Sequence, residues 1–278
     1  MSQRIGFVDF DLNNFHADVY LKLLRGDLRA RGFTVAGATA LQAESSQAWC
    51  AQNGVPYYSD VDALDAHVDC YAVLAPSNPE VHESLCQRVF PCGKPTYVDK
   101  TFAPDLAAAE RMFALADQHG VAMQTSSALR YSNVQERLAE IEDDLLHIIT
   151  WGGGSSFGEY AIHPLELAFS CMGPDVQRLH RRGAGEYAQL LLDFSNNRTA
   201  VVNVYTNTST PFAAMLTTTN NTEYIAVDSS TIFRNTTEAM LDLFESGTET
   251  INRRETLAIH STLDAAKTDA ACAGPVDL

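Results

Sequence analysis

The 278-residue chain is 46% hydrophobic, enough material for the buried cores of two ordinary domains. Nineteen basic against 35 acidic residues leave a net charge of −16, which repels phosphate backbones and excludes nucleic acid as an expected partner. The sequence has no window of about 18 unbroken apolar residues and no cationic start followed by an apolar stretch. No membrane association is therefore expected, and the expected location is cytoplasmic.

Ile5 to Val8 reads as a short strand, and Phe15, Val19, Leu23 and Leu24 fall on one face of a helix over 15–28. Phe33 to Ala38 is a second strand, Ala43 to Asn53 a helix stopped by Gly54, and Cys70 to Leu74 a third strand. A helix over 81–89, a strand over 95–99, a helix over 105–119 and a strand over 121–125 continue the alternation. Such alternation implies an α/β fold with a doubly wound parallel sheet. From about Leu145 the pattern changes to longer strands (145–151, 187–194, 199–206, 213–219 and 223–227), which implies a second, α+β domain with an open, mostly antiparallel sheet. The expected domains are 1–125 and 126–278. Helices are expected over 239–246 and 254–267, the last a candidate to pack back on the first domain.

In a doubly wound sheet, ligands sit beyond the carboxyl ends of the strands. Four turns then converge on one crevice: Asp9 to Asn14, Thr39 to Leu41, Ala75 to Pro79, and Asp99 to Phe102. Candidate binding residues are Asp11, Leu12, Asn13, Asn14, Thr39, Ala75, Pro76, Ser77, Asn78 and Lys100. A lysine at a strand end can donate to a ligand oxygen and pass a proton, although by itself Lys100 also reads as an ordinary surface lysine. Gly152-Gly153-Gly154 precedes Glu159 and His163, and on one helix those two would share a face. Pro164 places His163 just before or within the first turn of a helix that Gly173 ends. A carboxylate near an imidazole suits acid-base work, and a structural Glu–His hydrogen bond is the alternative.

In order and spacing these segments resemble the Gfo/Idh/MocA oxidoreductases, NAD(P)-dependent enzymes of sugars, cyclitols and related polyols. Val98-Asp99-Lys100-Thr101 stands where that family has Glu-Lys-Pro, and Arg130-Tyr131 where it has a basic-aromatic pair. The stretch from Gly154 to Gly173 resembles its Gly-rich segment with Asp-x-x-x-His. The resemblance implies a Rossmann-like first domain, NAD or NADP as cofactor, and Lys100, Glu159 and His163 as the catalytic constellation. In it, Lys100 would polarise the reacting oxygen, His163 would act on the substrate hydroxyl, and Glu159 would orient them. Arg130 and Tyr131 become candidate substrate contacts, with a structural ion pair and a packing role as their alternatives. A homo-oligomer through the open sheet is implied as well.

The chain departs from that pattern at its first turn. A dinucleotide fingerprint needs glycine so that the backbone can approach the pyrophosphate, whereas Asp9 and Asp11 stand at its first two glycine positions. Two like charges about 4 Å apart repel by roughly 4 kcal/mol at an intermediate dielectric. The second strand also ends in Thr39-Ala40-Leu41, without an acid for ribose hydroxyls. Three readings stay open: NAD(P) bound atypically, a different ligand, or a noncatalytic relative that binds a sugar or a partner. Asp9, Asp11 and His16 are imaginable as metal ligands, but Asp-rich turns more often cap helices, so no metal is expected.

Overall fold

The computed structural model describes residues 3–183 and 185–278. The chain divides into two compact units, one running to Ser126 and including Phe233–Ile251, the other comprising Ser127–Ile232 and Asn252–Leu278. The chain returns to the first unit with Phe233–Ile251. Arg253–Ala265, the long helix singled out in the sequence for that return, belongs to the second. Among the described residues no helix is long and apolar enough to cross a membrane.

The first unit is built on β1 (Gln3–Asp9), β2 (Phe33–Ala40), β3 (Cys70–Val73), β4 (Thr96–Val98) and β5 (Met123–Thr125), all parallel in the order β2-β1-β3-β4-β5. Every residue of β3, β4 and β5 is buried, as expected for a parallel sheet covered on both faces. Helix Phe15–Arg25 buries Ala17, Tyr20, Leu21 and Leu24 into a core that also takes Met240, Leu241, Leu243 and Phe244 from the returning helix Ile232–Ser246. Strand order reverses between β1 and β3, which makes their carboxyl ends the switch point where ligands of such sheets bind.

The second unit carries seven strands: β6 (Leu145–Gly152), β7 (Val176–Arg182), β8 (Tyr187–Phe194), β9 (Thr199–Tyr205), β10 (Ala213–Thr218), β11 (Thr222–Ala226) and β12 (Val276–Asp277). They are ordered β11-β10-β6-β9-β8-β7-β12, with only the β6–β9 pair parallel. Helix Ile162–Met172, buried over most of its surface, packs on β6 and β9, and Arg253–Ala265 packs on that helix. The central strands carry a buried and a half-buried face: Ile148, Leu190, Val202 and Leu216 are buried, while Ile149, Leu191, Val201 and Met215 on the opposite face are only half-buried.

Candidate functional site

The residues singled out in the sequence fall into two groups, one in each unit. In the first unit, the turn after β1 is closed by its own side chains. Asp9 is fully buried, and its Oδ1 accepts from the backbone N–H of Phe10 (2.7 Å), Asp11 (3.3 Å) and Ala75 (2.9 Å), while its Oδ2 accepts from Asn14 Nδ2 (2.9 Å). The Ala75 bond spans the switch point between β1 and β3, and Ala75 itself is held in the left-handed region at φ 47°. Burial outweighs these four hydrogen bonds and pushes the Asp9 carboxyl up to about 7.

The remaining N–H groups of the turn are also engaged. Leu12 donates to Ser46 Oγ (3.1 Å), Asn13 to Asp11 Oδ1 (3.0 Å) and Asn14 to the Leu12 carbonyl (2.8 Å). Asn14 then caps helix Phe15–Arg25, its Oδ1 accepting from His16 and Ala17. A dinucleotide pyrophosphate needs free N–H groups at this helix start. Here those of Phe10, Asp11, Leu12, Asn13, Asn14, His16 and Ala17 all donate within the protein, and a carboxylate sits among them. At β2, Thr39 is buried and Leu41 exposed, with no acid or arginine between them to meet a ribose. These residues do not fit a pyrophosphate in the seat that a glycine-rich turn provides.

Lys100 follows β4 and is buried, with its Nζ donating to the Pro76 carbonyl (3.1 Å). Its backbone N–H donates to Asp99 Oδ1 (2.8 Å), and Asp99 Oδ2 meets His16 Nδ1 at 2.5 Å. Lys100 thus stands in the same unit as Asp11, Leu12, Asn13, Asn14, Thr39, Ala75, Pro76 and Asn78, beside an Asp–His pair that the sequence does not announce. Ser77, in the same loop, is exposed. Asp9, Asp11 and His16 hold no metal-type cluster: among the described residues no group of three or more His, Cys, Asp or Glu side chains is placed to bind an ion.

In the second unit, the three glycines let the end of β6 touch its neighbours. A Cβ on Gly152 would come within 2.8 Å of the Pro164 ring, one on Gly153 within 2.3 Å of the Tyr205 carbonyl, and one on Gly154 within 2.1 Å of the Tyr160 ring. Thr150 Oγ1 donates to the Pro164 carbonyl (2.9 Å), so β6 holds the first turn of helix Ile162–Met172, which carries His163. Glu159 lies in a separate short helix, Phe157–Tyr160, and accepts from Ser155 Oγ (2.8 Å). His163 Nδ1 is 2.7 Å from Ser127 Oγ, with the rings of Tyr160 and Phe212 alongside.

Arg130 is engaged in an ion pair. Its Nε donates to Glu166 Oε1 (2.5 Å), and its Nη1 stands 2.7 Å from Glu255 Oε2 without the alignment of a hydrogen bond. Burial opposes the guanidinium charge, but the two carboxylates overcome it and raise Arg130 above its ordinary value. Burial likewise pushes Glu166 up against the pull of Arg130. Tyr131 ends the turn Ala128–Tyr131, half-buried. Ser127, Glu166 and Glu255 are the residues that the sequence reading missed; their partners lie 36 or more positions away, beyond any local pattern.

Residues 14–127 match the model of the Gfo/Idh/MocA oxidoreductase family, described as an NAD-binding Rossmann fold. The match begins at Asn14, just past the departing part of the turn. No curated protein matches the chain. Among solved structures, it is similar to myo-inositol 2-dehydrogenase from Lactobacillus plantarum (TM-score 0.82, 13% identity, all of both chains covered). It is also similar to an oxidoreductase from Agrobacterium radiobacter solved with NAD+, L-tartaric acid and magnesium (TM-score 0.81, 16% identity, 100% and 98% covered). A third is UDP-N-acetylglucosamine 3-dehydrogenase from Acidithiobacillus ferrooxidans (TM-score 0.81, 13% identity, 98% of each chain covered). At such identities the likeness is one of fold.

Proposed function

We propose, for a chain whose residues 14–127 carry the NAD-binding Rossmann fold of the Gfo/Idh/MocA oxidoreductases, an oxidoreductase acting on a sugar, cyclitol or related polyol. Lys100 and His163 are its acid-base groups, and any NAD or NADP binds without the usual pyrophosphate seat. The observation that supports this reading best is the survival of Lys100 in a buried place at the end of β4, its ammonium on a carbonyl and its backbone on Asp99. An ammonium there can polarise a substrate oxygen, and an imidazole can hold or release the hydroxyl proton as the carbon changes oxidation state. Glu159, Arg130 and Tyr131 are further substrate contacts in this reading.

The hydrogen-bonded turn favours a second reading, a relative that kept the fold and takes its ligand with no cofactor, or without catalysis. Calorimetric titration with NAD, NADH, NADP and NADPH separates the two. Saturable binding of one form, with turnover of a polyol panel that Lys100→Ala abolishes while cofactor affinity stays within about threefold, is the result expected of the oxidoreductase. Heat from none of the four would leave the second reading. The half-buried Ile149, Leu191, Val201 and Met215, with exposed Tyr187 and Tyr224 on the same face, support a homo-oligomer through the open sheet.

A further inference from the structure

We propose that Ser127 is a positioning residue that holds neutral His163 in the tautomer with its proton on Nε2, so that the ring meets a ligand oxygen as a donor. This rests on the reading of His163 as an acid-base group. Ser127 Oγ lies 2.7 Å from His163 Nδ1, and the Leu129 N–H points at the same oxygen from 3.3 Å. A backbone N–H can only donate, so it uses a lone pair of Oγ and leaves the hydroxyl proton to be placed. Ser127 is 1% exposed, which closes off bulk water as an acceptor. The acceptor within reach among the described residues is His163 Nδ1. Were Nδ1 protonated instead, Oγ would accept from two N–H groups and its own buried proton would have no acceptor.

Both partners are anchored independently. The Ser127 carbonyl accepts from the backbone N–H of Arg130 (3.1 Å), whose Nε is held by Glu166, and the His163 helix is tied to β6 through Thr150 and the Pro164 carbonyl. The geometry of the pair is thus set by the buried frame of the second unit rather than by a surface contact. An unsatisfied buried hydroxyl disfavours the other tautomer by about tenfold or more. The neutral ring therefore presents Nε2–H to a ligand oxygen as a hydrogen-bond donor, and taking a hydroxyl proton at Nε2 requires the other tautomer, with the ring proton on Nδ1.

Nitrogen-15 NMR of the full chain, labelled in its histidine rings and assigned with His163→Gln, reads the tautomer directly. Expected are an Nε2–H signature in the wild type, a shift of Ser127→Ala toward a mixture, and retention of the signature in Ser127→Thr. A thermal melt of each variant checks the fold. An Nδ1–H signature in the wild type overturns the proposal, as does an unchanged spectrum in folded Ser127→Ala; should that variant not fold, the wild-type tautomer alone decides. Loss of the acid-base reading shows separately, as polyol turnover that survives His163→Gln whatever the tautomer.

Discussion

The turn after β1 and the glycine stretch after β6 show opposite uses of glycine. In the second unit the glycines stay because protein atoms press against them: the Pro164 ring, the Tyr205 carbonyl and the Tyr160 ring leave no space for a Cβ. In the first unit they are replaced, and the side chains that came in satisfy the backbone that glycine would have left open to a phosphate. Close approach is the common requirement, and what approaches differs. At Asp9 the approaching group is a carboxyl of the chain itself.

The two regions are also held by different forces, an ion pair in the second unit and a ring of hydrogen bonds around one carboxylate in the first. The largest effect is expected from Arg130→Met, which leaves Glu166 and Glu255 buried without their cation and costs about 3–5 kcal/mol. Trp49 and Trp151 lie one in each unit, so chemical denaturation followed with either tryptophan alone locates the loss. A cost below about 1 kcal/mol at Trp151 would mean that the second unit does not depend on the pair and that the contrast of forces is wrong.

Much of the frame was legible in the sequence because its signals are local. Gly54 and Gly173 end helices at positive φ, and the apolar runs of β1, β2 and β3 lie where alternation puts them. The strand β7 escaped because Val-Gln-Arg-Leu-His-Arg-Arg buries only Leu179 and reads as a charged loop. The helix Asn133–Ala139, set by a capping box between Ser132 and Gln135, is too short to show a period. Among the candidate residues, the spacing of Lys100, Glu159 and His163 could be read, but the partner of each could not. A buried aspartate looks like a surface one until Ala75 is seen to donate to it, and Glu255 meets Arg130 from 125 positions away.

The next effect in size is a pH dependence. The unfolded chain releases the Asp9 proton near 4, whereas the folded chain keeps it to about 7. The folded state binds the extra proton between those values, so this contribution to stability is whole below the unfolded value and is lost as pH rises through about 7. Between pH 5 and pH 8 the wild type should lose on the order of 2 kcal/mol more than Asp9→Asn. Equal slopes in the two proteins would show that Asp9 ionises freely in the folded state, and the turn could not then be called closed.

The smallest effect sharpens the role of the cap. Asn14→Ala removes the acceptor for His16 and Ala17 and should cost about 1 kcal/mol at pH 5, the ordinary loss of a helix cap. Asn14 also donates to Asp9 Oδ2, a bond that favours the ionised carboxylate and so lowers its pKa against burial. Removing that donor raises Asp9 further, and the variant must lose more stability than the wild type as pH climbs. The cost should therefore be larger at pH 8 than at pH 5. A cost independent of pH would reduce Asn14 to a helix cap and leave Phe10, Asp11 and Ala75 as the groups that hold the buried charge.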